Sequence, residues 1–447
     1  MPPDGGAVVL ETFQRVASSF PWYRTLLDEE RVSPDSVGDL AAFGRICPLL
    51  TRQNTFERFT VGQLAATTAL PLLAAVLTSS GHGGRFSFGL TTRAQEEAGA
   101  DAIDRALDDA FGVRARPTLA INCLPMGVTF GSRCMTVATT SVREDMAVAL
   151  VQAFGASYAQ VLIVADPLFL KRLTDHALEQ GLDWRRHRVQ TVVGEEVFGE
   201  HFRSYMAQRL GLGRPEEPDT FLMSSFGVAE LGLHLCFETR TTVALRRLAC
   251  DHPAVAHDLL GDSAPRHGIP MLFTYEPSRT YLEIDKPDAQ GFGRLTVSML
   301  DPTLPIPLLR YQTGDIARIL DVRKARALLE RHGLGVRGDL PTHLIALRGR
   351  DREALRNGAH VALYKDAVYA DPAVADRLTG AVRVTFDDGE ASMHVQLVRQ
   401  CSDDRGVAEA LSAALPVHAR PRHVTVWRYE QFPFGMTLDY ERKFAGC

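Results

Sequence analysis

The stretch Pro305-Ile-Pro-Leu-Leu-Arg-Tyr-Gln-Thr-Gly-Asp-Ile-Ala-Arg318 carries the sharpest chemistry in the chain. An apolar run leads into Arg310-Tyr311, and Thr313-Gly314 then presents the carboxylate of Asp315. The pattern predicts a tight turn between two extended segments, with Gly314 in a backbone conformation closed to other residues. A carboxylate fixed there can accept two hydrogen bonds from a vicinal diol such as a ribose. A bare Thr-Gly-Asp also describes an ordinary solvated turn, so the reading needs partners elsewhere. One is the loop Ser79-Ser80-Gly81-His82-Gly83-Gly84, whose exposed backbone N–H groups can wrap phosphates. It is not a dinucleotide fingerprint, because Phe86 interrupts the glycine spacing. Nor is it a Walker loop, because no Gly-Lys-Ser/Thr follows.

The elements that must hold these groups alternate between short apolar strands and helices, as in βαβ units. Residues 8–60 read as short helices and turns, 94–111 as a helix, and 118–122 as a strand. A turn is expected over 124–127, a helix over 142–154 and a buried strand over 161–165. Asp166-Pro167 then opens another helix. Residues 189–193 form a strand running into a Gly-Glu turn at Glu195, and 271–318 are β-rich. Beyond 350, residues 359–369 and 381–397 read as short strands, 407–415 as a helix and 424–428 as a strand. These form a compact α+β module of about 100 residues.

At 447 residues the chain exceeds the span of one usual core. Its 45% hydrophobic and 23% charged content is ordinary for a soluble protein. A formal charge of −5 gives no basic footprint for nucleic acid. The seven cysteines are scattered and form no CxxC, which points to reduced thiols in a cytoplasm. Cys250, His252, His257 and His267 are unevenly spaced for a zinc site. Met1-Pro-Pro-Asp-Gly-Gly lacks the features of a signal peptide, and Val161-Leu-Ile-Val-Ala165 is far too short to span a bilayer. A cytoplasmic protein with no membrane partner is expected.

Arg310-Tyr-Gln-Thr-Gly-Asp-Ile316 resembles the RYRTGD(I/L) motif of the adenylate-forming superfamily of acyl-CoA synthetases, adenylation domains and luciferases, with the phenylacetate-CoA ligase type as the nearest branch. Other stretches resemble that family in the same order. Phe20-Pro-Trp-Tyr-Arg-Thr-Leu-Leu27, Ser33-Pro-Asp-Ser-Val37 and Pro48-Leu-Leu-Thr-Arg52 match its opening, and carry no chemistry of their own. Ser79, Ser80, Gly81 and Gly84 match its phosphate loop, although His82-Gly83 replaces a Thr pair and Arg85-Phe86 a Lys-Pro. Gly194-Glu195 is similar to the family's GGE segment beside adenine and acyl group. Phe226-Gly-Val-Ala-Glu230 is similar to YG.TE, with Ala229 in place of Thr. Gly349-Arg350-Asp351 is similar to the hinge, and Lys443 stands where the mobile catalytic lysine would be.

The resemblance implies an α/β fold with a large multi-subdomain N-terminal adenylation domain, 1–348, and a small mobile α+β C-terminal domain, 349–447. It implies ATP, Mg²⁺ and a thiol acceptor, most simply CoA, with a small carboxylic acid as substrate; a homodimer is compatible with it. Phe226 would stack on adenine, Glu230 would hold Mg²⁺, Asp315 would anchor ribose, and Arg350 would meet the ribose or α-phosphate. Lys443 would bridge carboxylate and phosphate, and His82 would replace a lost phosphate donor. The segment Leu124–Phe130 would line the acid pocket, whereas Met126 taken alone fits a core methionine. Ala229 and the altered loop leave a non-catalytic partner subunit as the alternative. An amine or carrier-protein acceptor and an unusual oxyacid also remain open.

Overall fold

The computed structural model describes residues 5–79, 86–261, 267–333, 340–435, 440 and 446. Among these, the strands form three sheets. The largest has eleven strands in the order β10-β11-β12-β13-β9-β8-β7-β6-β5-β3-β4. One half is parallel: β3 (Thr118–Asn122), β4 (Thr136–Thr139), β5 (Gln160–Ala165), β6 (Val189–Val193) and β7 (Leu222–Val228). Every residue of β3, β5 and β6 is buried, the continuous apolar pattern expected where helices cover both faces. Helices Glu144–Phe154, Pro167–Glu179 and Glu200–Leu210 make the crossovers. Asp166 caps the second of these, accepting from the amides of Leu168 (2.9 Å) and Phe169 (3.0 Å), as its Asp-Pro start predicted.

The other half is antiparallel: β8 (Gly232–Phe237), β9 (Met271–Tyr275), β10 (Thr280–Asp285), β11 (Gly293–Met299), β12 (Tyr311–Leu320) and β13 (Leu344–Arg350). The hairpin of β7 and β8 joins the halves. Buried ion pairs pin this seam. Arg203 meets both oxygens of Glu238 (2.8 and 3.0 Å), while Glu238 also accepts from the amide of Ser224 on β7 (2.8 Å). Removing one member of such a buried pair costs roughly 3–5 kcal/mol.

A separate hairpin, β1 (Leu73–Thr78) with β2 (Phe88–Thr92), flanks the large sheet. The smaller C-terminal module carries a three-stranded sheet of β14 (Leu378–Asp387), β15 (Glu390–Leu397) and β16 (His423–Trp427). Residues 359–369, read above as short strands, contain helix Val361–Ala367 instead. His360 begins it by accepting from the amide of Ala362 through Nδ1 (3.2 Å), a cap that outweighs the β-branched residues around it. Among the described residues, no helix is long and apolar enough to cross a membrane.

Candidate active site

A cavity of about 900 Å³ opens where the two halves of the large sheet meet the small module. That size suits a small-molecule site. Ser79, Glu195, Phe226, Gly227, Glu230, Asp315 and Arg350 all line it, although the sequence separates the first from the last by 271 positions. Ser80, Gly81, His82, Gly84 and Lys443 lie outside the described residues.

Thr313-Gly314-Asp315 is not a tight turn between two extended segments, as the sequence suggested. It lies within the continuous strand β12. There the register against β11 slips: Arg294 pairs with Ile316 but Thr296 pairs with Gln312, so two extra residues are accommodated on β12. Gly314 at φ +82° makes this bulge possible. The bulge turns Asp315 into the cavity, and its amide donates to Thr313 Oγ1 at 3.2 Å. Asp315 and Arg350 face each other across β12 and β13. Arg350 Nε lies 3.3 Å from Asp315 Oδ1, and Arg350 Nη1 donates to the Thr313 carbonyl at 2.9 Å. His360 Nε2 lies 3.3 Å from the carbonyl of Arg350. Burial holds this imidazole down to about 4, so it is neutral and carries its proton on Nε2 while Nδ1 caps the helix. His360 thereby ties the small module to the end of β13.

Phe226 and Glu230 come from the end of β7 and the turn after it, and two close approaches fix that turn. A Cβ on Gly227 would lie 2.3 Å from the Leu233 carbonyl group, and one on Gly89 of β2 would lie 1.9 Å from the Ala229 carbonyl oxygen. The β1–β2 hairpin, which carries the proposed phosphate loop between its strands, is thus seated directly on the Phe226–Glu230 segment. Phe226 faces Phe273 with ring centroids 6.4 Å apart. Tyr311 donates its hydroxyl to Glu230 Oε1 at 2.5 Å. Glu230 Oε2 is buried and lacks a hydrogen-bond partner. An unpaired carboxylate oxygen on a cavity-lining residue is the kind of hard ligand that suits Mg²⁺.

Glu195 follows β6 at φ +71°, the turn expected there. Its neighbour Glu196 accepts from Lys365 of the small module at 2.8 Å. Lys365 lines the cavity, and a lone lysine in a seven-residue helix gave no sequence signal for it. Arg52 was missed for another reason. The Pro48–Arg52 stretch, read as carrying no chemistry, pairs with β12 through Leu50, whose amide donates to the Arg310 carbonyl at 3.0 Å. That pairing delivers Arg52 to the cavity beside Tyr311. Arg310 itself turns away: it reaches Glu283 at 3.2 Å and the carbonyl of Cys47, and so anchors the N-terminal helices. Met126 is not a core methionine; it is half-buried at φ +58° and lines the cavity.

No family model matches the sequence, and no curated protein matches it. Solved structures do share its fold. A 2-hydroxyisobutyryl-CoA ligase in the postadenylation state, in complex with 2-HIB-AMP, superimposes with a TM-score of 0.68 at 13% identity, covering 98% of this chain and 87% of that one. The same ligase with 2-HIB-AMP and CoA in the thioesterification state gives 0.54 at 15% identity, over 96% and 87%. An anthranilate CoA ligase in complex with anthranoyl-AMP gives 0.51 at 11% identity, over 83% and 66%. The α/β fold with its smaller C-terminal module is the fold of these ligases.

Proposed function

We propose that the cavity binds ATP and a carboxylic acid together and joins them as an acyl-adenylate, then passes the acyl group to a thiol, most simply CoA. The observation that carries this reading is the convergence of Asp315, Arg350, Glu230 and the β1–β2 hairpin on one cavity, in a fold shared with ligases bound to acyl-AMP. A carboxylate is a poor electrophile because its leaving group would be oxide. In the first step a carboxylate oxygen attacks the α-phosphorus of ATP; one P–O bond forms and the bond to pyrophosphate breaks. In the second, thiolate sulfur attacks the acyl carbon and AMP departs with the bridging oxygen. The protein's part is to hold two anions in line and to offset the charge that develops.

Asp315 accepts the ribose hydroxyls, and Arg350, already directed by Asp315 and Thr313, faces the α-phosphate. Phe226 packs against adenine. Mg²⁺ held at Glu230 Oε2 would neutralise phosphate oxygens. Lys443 supplies the ammonium between carboxylate and α-phosphate. In support, Gly446, three positions further on, lines the cavity, and its carbonyl accepts from the amide of Val384 at 2.8 Å. Residues 349–447 act as a lid that turns about Gly349–Asp351 between the two half-reactions.

The test is exchange of labelled pyrophosphate into ATP over a panel of carboxylic acids, with ATP binding followed by calorimetry. At least one acid should drive exchange. Asp315→Ala should weaken ATP binding at least tenfold, because a hydrogen bond to a charged group is worth about 1.5–3 kcal/mol. Absence of exchange with every acid, together with absence of ATP binding, would refute the assignment.

A further inference from the structure

Tyr311 is buried, with its hydroxyl 2.5 Å from Glu230 Oε1. The phenol donates this hydrogen bond, since a carboxylate oxygen can only accept. Its other neighbour is Ser87. Ser87 is also bound to Ser79: its amide donates to Ser79 Oγ at 3.0 Å, and its carbonyl accepts from the Ser79 amide at 3.0 Å. Ser79 and Ser87 close the base of the hairpin that carries the glycine-rich loop. The phenol that holds Glu230 therefore lies beside the base of that hairpin. The phenol occupies one oxygen of Glu230, a residue that lines the cavity, and leaves the other buried and unpartnered.

We propose that Tyr311 is a positioning residue for a divalent cation: it fixes the rotamer of Glu230 through Oε1 and so leaves Oε2 to meet a metal held against the phosphates. This rests on the ATP-binding reading above. Outer partners of this kind orient a metal-ligating carboxylate, and their loss typically costs 10–100-fold in metal affinity. A phenol is suited to the task because it lends no charge that would compete with the cation and, held by its ring, loses little freedom on binding.

The test titrates the full-length protein with a non-hydrolysable ATP analogue, first in EDTA and then across a Mn²⁺ series. In the wild-type protein analogue affinity should rise with Mn²⁺, and Glu230→Gln should abolish that response. Tyr311→Phe should bind the analogue in EDTA as the wild type does, yet need about ten- to a hundredfold more Mn²⁺ for the same enhancement. Ser87→Ala should shift the Mn²⁺ midpoint in the same direction by less, and it decides the matter if Tyr311→Phe does not fold. Wild-type midpoints in both variants, with the response lost in Glu230→Gln, would overturn the role of Tyr311 and leave the ATP reading standing. A wild-type protein that fails to bind the analogue at all would overturn both.

Discussion

Asp166 sits behind the cavity at the start of helix Pro167–Glu179, and its chemistry is set by what surrounds one oxygen. Oδ1 accepts two backbone amides, while Oδ2 is sealed from solvent with no partner. Burial raises its pKa to about 7; the nearby carboxylates of Glu196 and Glu195 push the same way, and the Phe169 amide opposes them. Unfolded, the group titrates near 3.9. Its folded value is raised, so the protonated form stabilises the fold fully at low pH, and that contribution is lost as pH rises through about 7. Asp166→Asn mimics the protonated group. Thermal unfolding should find the variant more stable than wild type at pH 8, with the gap closing as pH falls towards about 4. A wild-type protein that is the more stable of the two at pH 8 would contradict this.

At the scale of elements, the site depends on how closely the β1–β2 hairpin sits on the turn after β7. Gly89→Ala would drive a Cβ into the Ala229 carbonyl, and overpacking of this kind costs roughly 1–3 kcal/mol. Gly99→Ala, in a helix with open space around it, should instead stabilise by about 1 kcal/mol. Denaturant titration separates the two, and only the first should also weaken binding of the ATP analogue. The same packing explains what was legible beforehand. Asp315, Arg350, Phe226 and Glu230, which line one cavity, stood out because each lies in a short string that resembles a motif of the adenylate-forming superfamily. The fully buried strands and the Asp166 cap were visible from local sequence pattern. Tyr311 as the partner of Glu230, Arg52 and Lys365 were not visible, because each reaches the cavity through pairing or packing with residues remote in sequence. The bulge in β12 hides equally well, since Thr-Gly-Asp fits a turn and a kinked strand alike. Helix Val361–Ala367 was misread because seven residues give too few turns for periodicity to outweigh β-branched content.

At the scale of the whole molecule, the small module is held by a cap supplied from a distance. Asp366 accepts from the amide of Phe202 at 3.0 Å, at the first turn of helix Glu200–Leu210, and meets His201 Nδ1 at 3.0 Å. Gly199 is required there, because a Cβ would lie 2.0 Å from the Asp366 carboxyl carbon. Tyr205 and Arg209 of the same helix reach Asp376 at 2.6 and 3.1 Å. The hydrogen bond to Asp366 raises the His201 imidazole above its usual value. Its stabilisation is therefore complete below about pH 6.5 and disappears as pH rises through the higher folded value. The difference in melting temperature between wild type and His201→Ala should be largest near pH 5.5 and shrink above it, and Asp366→Ala should cost about 0.5–2 kcal/mol through the lost cap. The central claim is that a carboxylate oxygen attacks the α-phosphorus in the cavity, and isotope transfer tests it most directly. With ¹⁸O in the carboxylate of an acid that drives pyrophosphate exchange, and with a thiol acceptor present, mass spectrometry should find one ¹⁸O in each AMP released and none in pyrophosphate. Unlabelled AMP, or label in inorganic phosphate, would contradict the account.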